Sequence, residues 1–189
     1  GLSTSISLEE FFNYNKICIN FFSVNINNIK PNVECISYKT HPNLPLLTAI
    51  RMTSCIPIIF KPVYFENKCY IDGGLLLNYP LNICLENTEC DELEIFSFKN
   101  NASQQTDFSL IDKDSSFITY ILQILRGIEN LIDFKNQQKK IKNEIINNSE
   151  YNNISKWYTV ISNEEVRKEI IDYGKSCANE FIQMNHSEI

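Results

Sequence analysis

The sequence lacks the surplus of basic residues that a nucleic-acid-binding protein needs. Its 189 residues include 17 Lys and Arg against 23 Asp and Glu, which gives a formal net charge of −6. Phosphate recognition requires positive charge gathered on at least one face. We therefore expect no nucleic-acid partner, and a neutral or apolar substrate is easier to accommodate.

Long apolar runs and a leader are also lacking. No run approaches the roughly 20 residues that cross a bilayer, and the opening GLSTSISLEE has neither the basic nor the apolar region of a signal peptide. Hydrophobic residues make up 43% of the chain and aromatic residues 12%, which is enough for the core of one soluble domain. Because the chain opens on Gly1 rather than Met and enters a structural element at once, we expect it to be part of something longer.

Cysteine and histidine show no metal-binding pattern. The seven cysteines include no C-x-x-C pair, and the two histidines, His41 and His186, lie far apart in the sequence. Zinc and redox sites need such ligands close together, so we expect no metal and no cofactor. Buried free thiols in a reducing compartment are the simplest account of the cysteines, which favours a cytoplasmic location.

The chain alternates segments typical of strands and of helices. Ser7 and Glu10 form the S-x-x-E pattern of a capping box, which predicts a helix to about Tyr14. Strands are predicted at residues 17–24, 33–38, 63–65, 69–71, 93–98 and 157–161, and helices at residues 46–54 and from about Phe117 onwards. Residues 66–68 are expected to close a tight hairpin that leads into Asp72. This alternation indicates an α/β layer fold in a single domain.

Two helices in the second half carry apolar stripes. The helix from Phe117 is expected to bury its first half and expose a polar, basic second half, because apolar residues recur at helical spacing only early on, at Ile121, Leu125, Ile128 and Ile132. A second S-x-x-E box at Ser162 and Glu165 predicts another helix start. The stripe of that helix is Val166, Ile170, Tyr173, Cys177 and Phe181.

Residues 49–81, AIRMTSCIPIIFKPVYFENKCYIDGGLLLNYPL, are the densest signal in the chain. A helix with a Ser-x-x-Pro break at Ser54 and Pro57 leads through Phe-x-Pro-Val and a hairpin to Asp72-Gly73-Gly74. This segment resembles the second signature block of the patatin-like phospholipases, and the similarity covers most of the chain. The resemblance implies a patatin-like three-layer α/β/α hydrolase fold, incomplete at its N-terminus, with residues 1–189 as the C-terminal portion of one domain.

The resemblance also implies a catalytic role for Asp72. Patatin-like enzymes cleave phospholipid or other lipid esters with a Ser-Asp dyad, in which Asp72 would be the base. An aspartate after a strand is held rigid when Gly73 and Gly74 let neighbouring backbone approach closely. Ser54 is expected to bond the backbone at its helix end rather than act as nucleophile, and Pro57 is expected to end that helix.

The nucleophilic serine of such an enzyme is not found in this sequence. The family's Gly-rich oxyanion loop and its G-x-S-x-G elbow do not occur, and Ser3 is rejected because Ser5 stands where the second glycine belongs. His41 and His186 lie outside the signature block, which argues against a Ser-His-Asp triad. We expect the serine upstream of this chain, and the chain alone to be inactive.

Two other interpretations remain open at this point. The chain is a non-catalytic patatin-like remnant that binds lipid or a partner, or it is a small α/β protein in which D-G-G is an ordinary turn. A related choice concerns the basic run, which is either a solvated helix face or a peripheral contact with anionic headgroups at a membrane surface. That run comprises Lys135, Lys139, Lys140 and Lys142.

Overall fold

The chain divides into two compact units of helices and strands. A computed structural model describes residues 2–87, 91–100, 111–135, 140–149, 151 and 157–186. The first unit comprises Gly1–Pro80 and Ile111–Gln137, and the second comprises Leu81–Leu110 and Gln138–Ile189. The mixture of two sheets with helices confirms the predicted α/β class.

Helix α1, Leu8–Asn15, opens the first unit with the predicted capping box. The Ser7 hydroxyl accepts from the Glu10 N–H at 3.2 Å, and the Glu10 carboxylate accepts from the Ser7 N–H at 2.8 Å. The helix ends at Lys16, which adopts the left-handed conformation with a φ of 59° and donates its N–H to the Phe12 carbonyl. Both helix ends are thus satisfied by local sequence, which is why the helix could be predicted.

A four-stranded antiparallel sheet forms the centre of the first unit, in the order β2-β1-β4-β3. Its strands are β1, Phe21–Asn25, β2, Asn32–Ile36, β3, Val63–Phe65, and β4, Lys68–Asp72. β1 begins later than predicted because its pairing with β2 starts only at Phe21 and Ile36, and the Asn15 side chain holds the Ile17 N–H in a turn. All four predicted strands are present.

The hairpin between β3 and β4 is tighter than predicted. Its loop is Glu66 and Asn67 alone, both with positive φ (47° and 63°), while Lys68 already pairs with Phe65. Positive φ at both loop residues is the geometry of the two-residue turn whose twist matches that of the strands.

Helix α2 spans Leu46–Ser54, with the predicted bounds, and packs on the sheet. Ala49 and Met52 face the sheet and are fully buried. The core of this unit is the cluster Leu8, Ile36, Leu44, Ala49, Met52, Cys55, Val63 and Tyr70.

The sheet also buries a polar network around Glu34. The Glu34 carboxylate accepts from the Tyr70 hydroxyl at 2.7 Å, from the Lys68 ammonium at 3.0 Å and from the Asn25 amide at 3.0 Å. Burial pushes the pKa of Glu34 upward, but these three donors together hold it below its usual range. The network therefore ties β2, β1 and β4 together at the end of the sheet that carries the hairpin loop.

Helix α4, Phe117–Lys135, begins where predicted but is less buried than expected. Ile121, Leu125 and Ile132 are only half-buried and Ile128 is exposed, so no described side chain of α4 is fully buried. Within its unit α4 contacts the turn Gly73–Leu75, a small surface that cannot cover a whole apolar stripe.

In the second unit, helix α3, Leu81–Asn87, and strands β5, Ser97–Asn100, and β6, Glu144–Asn147, are described. β5 and β6 pair in parallel. β5 starts later than predicted because Leu93 lies in a short 3₁₀ turn capped by Asp91. The sequence analysis did not predict α3 or β6.

The predicted strand at residues 157–161 is wrong, because Trp157–Ser162 forms helix α5. The Arg167 guanidinium donates to the carbonyls of Val160 and Ile161 at 3.0 and 2.7 Å and so satisfies the C-terminal end of α5. Helix α6, Glu164–His186, is capped by the Asn163 side chain, which accepts from the Glu165 N–H at 2.9 Å, rather than by the predicted box at Ser162.

The basic run, the cysteines and the absence of a membrane-spanning segment, all predicted from the sequence, can be located only within the described residues. Lys140 and Lys142 precede β6 instead of lying on a helix, and Lys139 and the Lys135 side chain are outside the described part. Of the described cysteines, Cys55 and Cys69 are buried and Cys18 is exposed, all as free thiols. Among the described helices, none has the length and apolar character needed to cross a membrane.

The α1 capping box allows a direct stability test. Replacing Ser7 by Ala removes the acceptor of the Glu10 N–H and is expected to lower the free energy of unfolding by about 1 kcal/mol. Glu9→Ala is the matched control, because Glu9 is an exposed acidic residue in the same helical turn without a capping bond. Urea denaturation should separate the two variants; equal losses would contradict a specific role for the box.

Candidate active site

Asp72 is held at the carboxyl end of β4 by its backbone and by its side chain. Its N–H donates to the Cys55 carbonyl at 3.1 Å, just beyond the end of α2. Its Oδ1 accepts from the Gly74 N–H at 2.7 Å and so caps the 3₁₀ turn Gly73–Leu75. No other bond to the carboxylate is found in the described part of the chain, which leaves Oδ2 available.

Gly73 is required because the turn after β4 approaches β1 closely. A Cβ built at Gly73 would lie 2.2 Å from the Phe22 carbonyl oxygen, and Gly73 is itself buried. A Cβ built at Gly74 would meet side-chain atoms instead of backbone, the Asp72 Oδ1 at 3.0 Å and the Asn78 Oδ1 at 3.4 Å. Gly73 therefore sets the position of the turn, and Gly74 supplies the N–H that orients the carboxylate.

Ser54 and Pro57 lie at the end of α2, as predicted. The Ser54 hydroxyl is exposed and donates to the Ile50 carbonyl one turn back, at 2.7 Å. The helix ends at Ser54, before Pro57. Ser54 is thus placed as a residue that bonds its own helix.

Two further hydroxyls, which the sequence analysis missed, tie α2 to the sheet beside Asp72. Ser23, opposite Asp72 in the β1–β4 register, is fully buried, and its one hydroxyl proton has two carbonyl acceptors within reach, Ile71 at 2.7 Å and Met52 at 2.9 Å. Thr53 donates to the Phe22 carbonyl at 2.7 Å. A serine inside the apolar run INFFSV was the one available signal, since a buried hydroxyl needs an acceptor.

Burial raises the pKa of the Asp72 carboxyl above its usual value, and the Gly74 N–H offsets part of that rise. In the described residues no Lys or Arg forms a salt bridge with it. A carboxylate that is partly desolvated and has one unbonded oxygen accepts a proton more readily than a fully solvated one. Chemically, the site offers a positioned base.

Among the described side chains, neither His41 nor Ser3 has a recorded bond to Asp72. The His41 ring contacts Thr40 at 2.9 Å and lies beside Phe65, at the hairpin-loop end of the sheet. Burial, with Lys68 adding to it, lowers the His41 pKa. The Ser3 hydroxyl bonds Ser5 ahead of α1, and the His186 side chain lies outside the described residues.

A separate cavity of about 590 Å³ lies in the second unit. Its described lining contains no charged side chain and none of the predicted site residues, and it includes Phe98, Ile145, Val160, Ile161, Ile170 and Cys177. Among the described residues, no cluster of His, Cys, Asp and Glu is able to hold a metal ion.

Comparison with known proteins finds a family match in the first half of the chain. Residues 6–85 match the patatin-like phospholipases. The predicted resemblance is thus confirmed from α1 into α3, a stretch that includes Ser54, Pro57 and Asp72-Gly73-Gly74. The mixed α/β architecture is consistent with the α/β hydrolase fold of that family.

A curated relative is the "Probable lipid hydrolase 463L" of Invertebrate iridescent virus 6. It is 32% identical over 85 residues, which cover 45% of this chain and 29% of the viral protein. The aligned region thus spans less than a third of the length of this relative.

Adding a methyl group at Gly73 should disrupt the site from within. Gly73→Ala is expected to cost about 3 kcal/mol or more, because the Cβ would overlap the Phe22 backbone, which cannot move aside alone. Gly127→Ala is the control, since a Cβ there meets no atom within 4 Å and lies in helix α4, where Ala is favoured by roughly 0.5–1 kcal/mol. Thermal unfolding measures both; similar midpoints for the two variants would rule out the close approach.

The raised pKa of Asp72 predicts how stability depends on pH. Because the pKa is higher in the folded chain, this group favours folding below its unfolded pKa, and the contribution is lost as pH rises through the folded value. Asp72→Asn is therefore expected to raise the unfolding midpoint at pH 7, with a gain that shrinks as pH falls.

Asp112 is the control with the opposite sign. The Ser115 hydroxyl lowers the pKa of this exposed carboxyl, so Asp112→Asn should slightly lower stability at pH 7. A pH-independent difference between Asp72→Asn and the parent would contradict the assignment of a desolvated carboxylate.

Proposed function

We propose that this chain contributes the base of a lipid acyl hydrolase that works through a Ser-Asp dyad. The observation that carries the proposal is Asp72, partly buried at a strand end, with Oδ1 fixed by Gly74 and Oδ2 without a bond to any described residue. The match of residues 6–85 to the patatin-like phospholipases and the name of the viral relative support a lipid ester as substrate.

In the proposed reaction Asp72 accepts the proton of a serine hydroxyl as its oxygen attacks the ester carbonyl. The alcohol leaves with that proton and the acyl group remains on the serine. Water, deprotonated by the same carboxylate, then releases the fatty acid and regenerates the serine. The raised pKa of Asp72 suits this role, because it makes the carboxylate a stronger base.

The serine is proposed to lie outside these 189 residues. The five glycines of the sequence are Gly1, Gly73, Gly74, Gly127 and Gly174, so no G-x-S-x-G elbow can be formed from them. The Gly74 N–H is already bonded to Asp72 and is not free to stabilise an oxyanion. A segment with both the serine and the oxyanion donors must therefore meet Asp72 for turnover.

We also propose that the protein lies in a reducing compartment, the cytoplasm, at the surface of the membranes that supply the substrate. The described cysteines are free thiols, in keeping with that location.

Hydrolysis assays test the proposal in two steps. The 189-residue chain should not hydrolyse phospholipid or short-chain esters above background, whereas the complete product of its transcript should, and should also react with a serine-directed phosphonate probe. In that complete protein Asp72→Asn is expected to lower kcat at least about 10³-fold, since it removes the base.

Asp114→Asn serves as the matched control, because Asp114 is an exposed aspartate in the segment before α4. Turnover by the 189 residues alone that Asp72→Asn abolishes would contradict the external serine. Lipid binding by a complete protein that never turns over would instead favour the non-catalytic binding module.

A further inference from the structure

The turn between α2 and β3 exposes three apolar side chains in succession. Ile58, Ile59 and Phe60 are 48%, 39% and 55% exposed. Single exposed apolar residues are common on protein surfaces, but a consecutive group marks a contact surface. The exposed face of α2 adds Leu47 and Ile50, at 50% and 40%.

The backbone of this turn is held in an unfavourable conformation. Ile58 has a φ of 76°, in the left-handed region that β-branched residues avoid. The Phe60 N–H donates to the Ile56 carbonyl at 3.0 Å and closes the turn around Ile58. Strain of this kind concentrates at functional positions, where the chain retains a projection that a relaxed turn would lose.

The turn that carries these three apolar side chains lies beside Asp72. Cys55, whose carbonyl accepts the Asp72 N–H at 3.1 Å, is separated from Ile58 by two residues. The opposite end of the sheet carries the hairpin loop, where the Asn27 side chain donates to the Asn67 carbonyl. An exposed apolar residue at that far end, Ile29, therefore lies away from the candidate site.

Two cations flank the apolar group. Arg51 lies in the last turn of α2 and Lys61 directly follows Phe60; both are exposed. Neither forms a salt bridge with a described residue. Apolar side chains bordered by Lys and Arg are the composition of a surface that enters the headgroup region of an anionic bilayer.

We propose that Ile58, Ile59 and Phe60 insert into the interface of a bilayer with anionic headgroups, which Arg51 and Lys61 contact. Insertion brings the Asp72 end of the sheet to the lipid surface. The purpose of this contact rests on the proposed lipid hydrolase function, but the contact itself is a binding event that can be measured without any hydrolysis.

A tryptophan placed in the turn reports insertion. In the 189-residue chain with Trp157 replaced by Phe, Phe60→Trp and Ile29→Trp each carry a single tryptophan. Vesicles of ether-linked phosphatidylcholine and phosphatidylglycerol in equal parts contain no acyl ester that could be hydrolysed. Trp at position 60 should shift its emission to the blue and be quenched by brominated lipid, while Trp at position 29 should do neither.

Vesicle sedimentation of chains that retain Trp157 provides the second measurement. Phe60→Ser is expected to weaken binding at least about tenfold, because it removes the aromatic ring that inserts into the bilayer interface. Ile29→Ser is expected to leave binding unchanged. Lys61→Gln and Arg51→Gln should each cost about fivefold, and binding should fall with salt and with the fraction of phosphatidylglycerol.

Three outcomes overturn the proposal. The first is equal spectral behaviour of Trp at positions 60 and 29, and the second is no binding to anionic vesicles. The third is self-association without lipid that Phe60→Ser abolishes, which would assign the surface to a second copy of the chain. Binding as expected, together with a complete transcript product that hydrolyses no ester, would contradict the hydrolase function and leave this inference standing.

Discussion

The contact between the main chain of Phe22 in β1 and that of Gly73, directly after β4, is the constraint on which the candidate site depends. Only a residue without a Cβ fits there, since an added carbon would lie 2.2 Å from the Phe22 oxygen. The same Phe22 carbonyl accepts the Thr53 hydroxyl, and the next residue, Ser23, bonds both α2 and β4. β1 thus locks helix and strand into one geometry, and Asp72 takes its place from that geometry.

What the sequence predicted well were features decided within a few residues. The α1 capping box, the bounds of α2 and the hairpin before Asp72 follow from side chains that bond or turn their own backbone. The segment at residues 157–161 was misassigned because aromatic and β-branched residues favour strands locally. Its helical form receives support from Arg167, a residue several positions away, and such contacts leave no local pattern.

The candidate site also contains some features that the local sequence predicts and others that it does not. Asp72 and its two glycines could be named from the sequence because a strand followed by Asp-Gly-Gly has a recognisable form. The groups that hold Asp72 could not, since the acceptor at Cys55 is a backbone carbonyl and any residue type supplies one. The left-handed φ of Ile58 was equally hidden, because an isoleucine is the last residue type that would be chosen for it.

A site held mainly by backbone atoms has an evolutionary consequence. The contacts that place Asp72 come from the carbonyl of Cys55, the N–H of Gly74 and the chain at Phe22, none of which changes when a side chain is replaced. Mutational drift can therefore rewrite most side chains around the carboxylate while its coordinates persist. Sequence divergence would then be tolerated at most positions around the carboxylate. The exceptions are Asp72 itself, Gly73, which touches β1, and the buried Ser23, which pairs with Asp72 across the sheet.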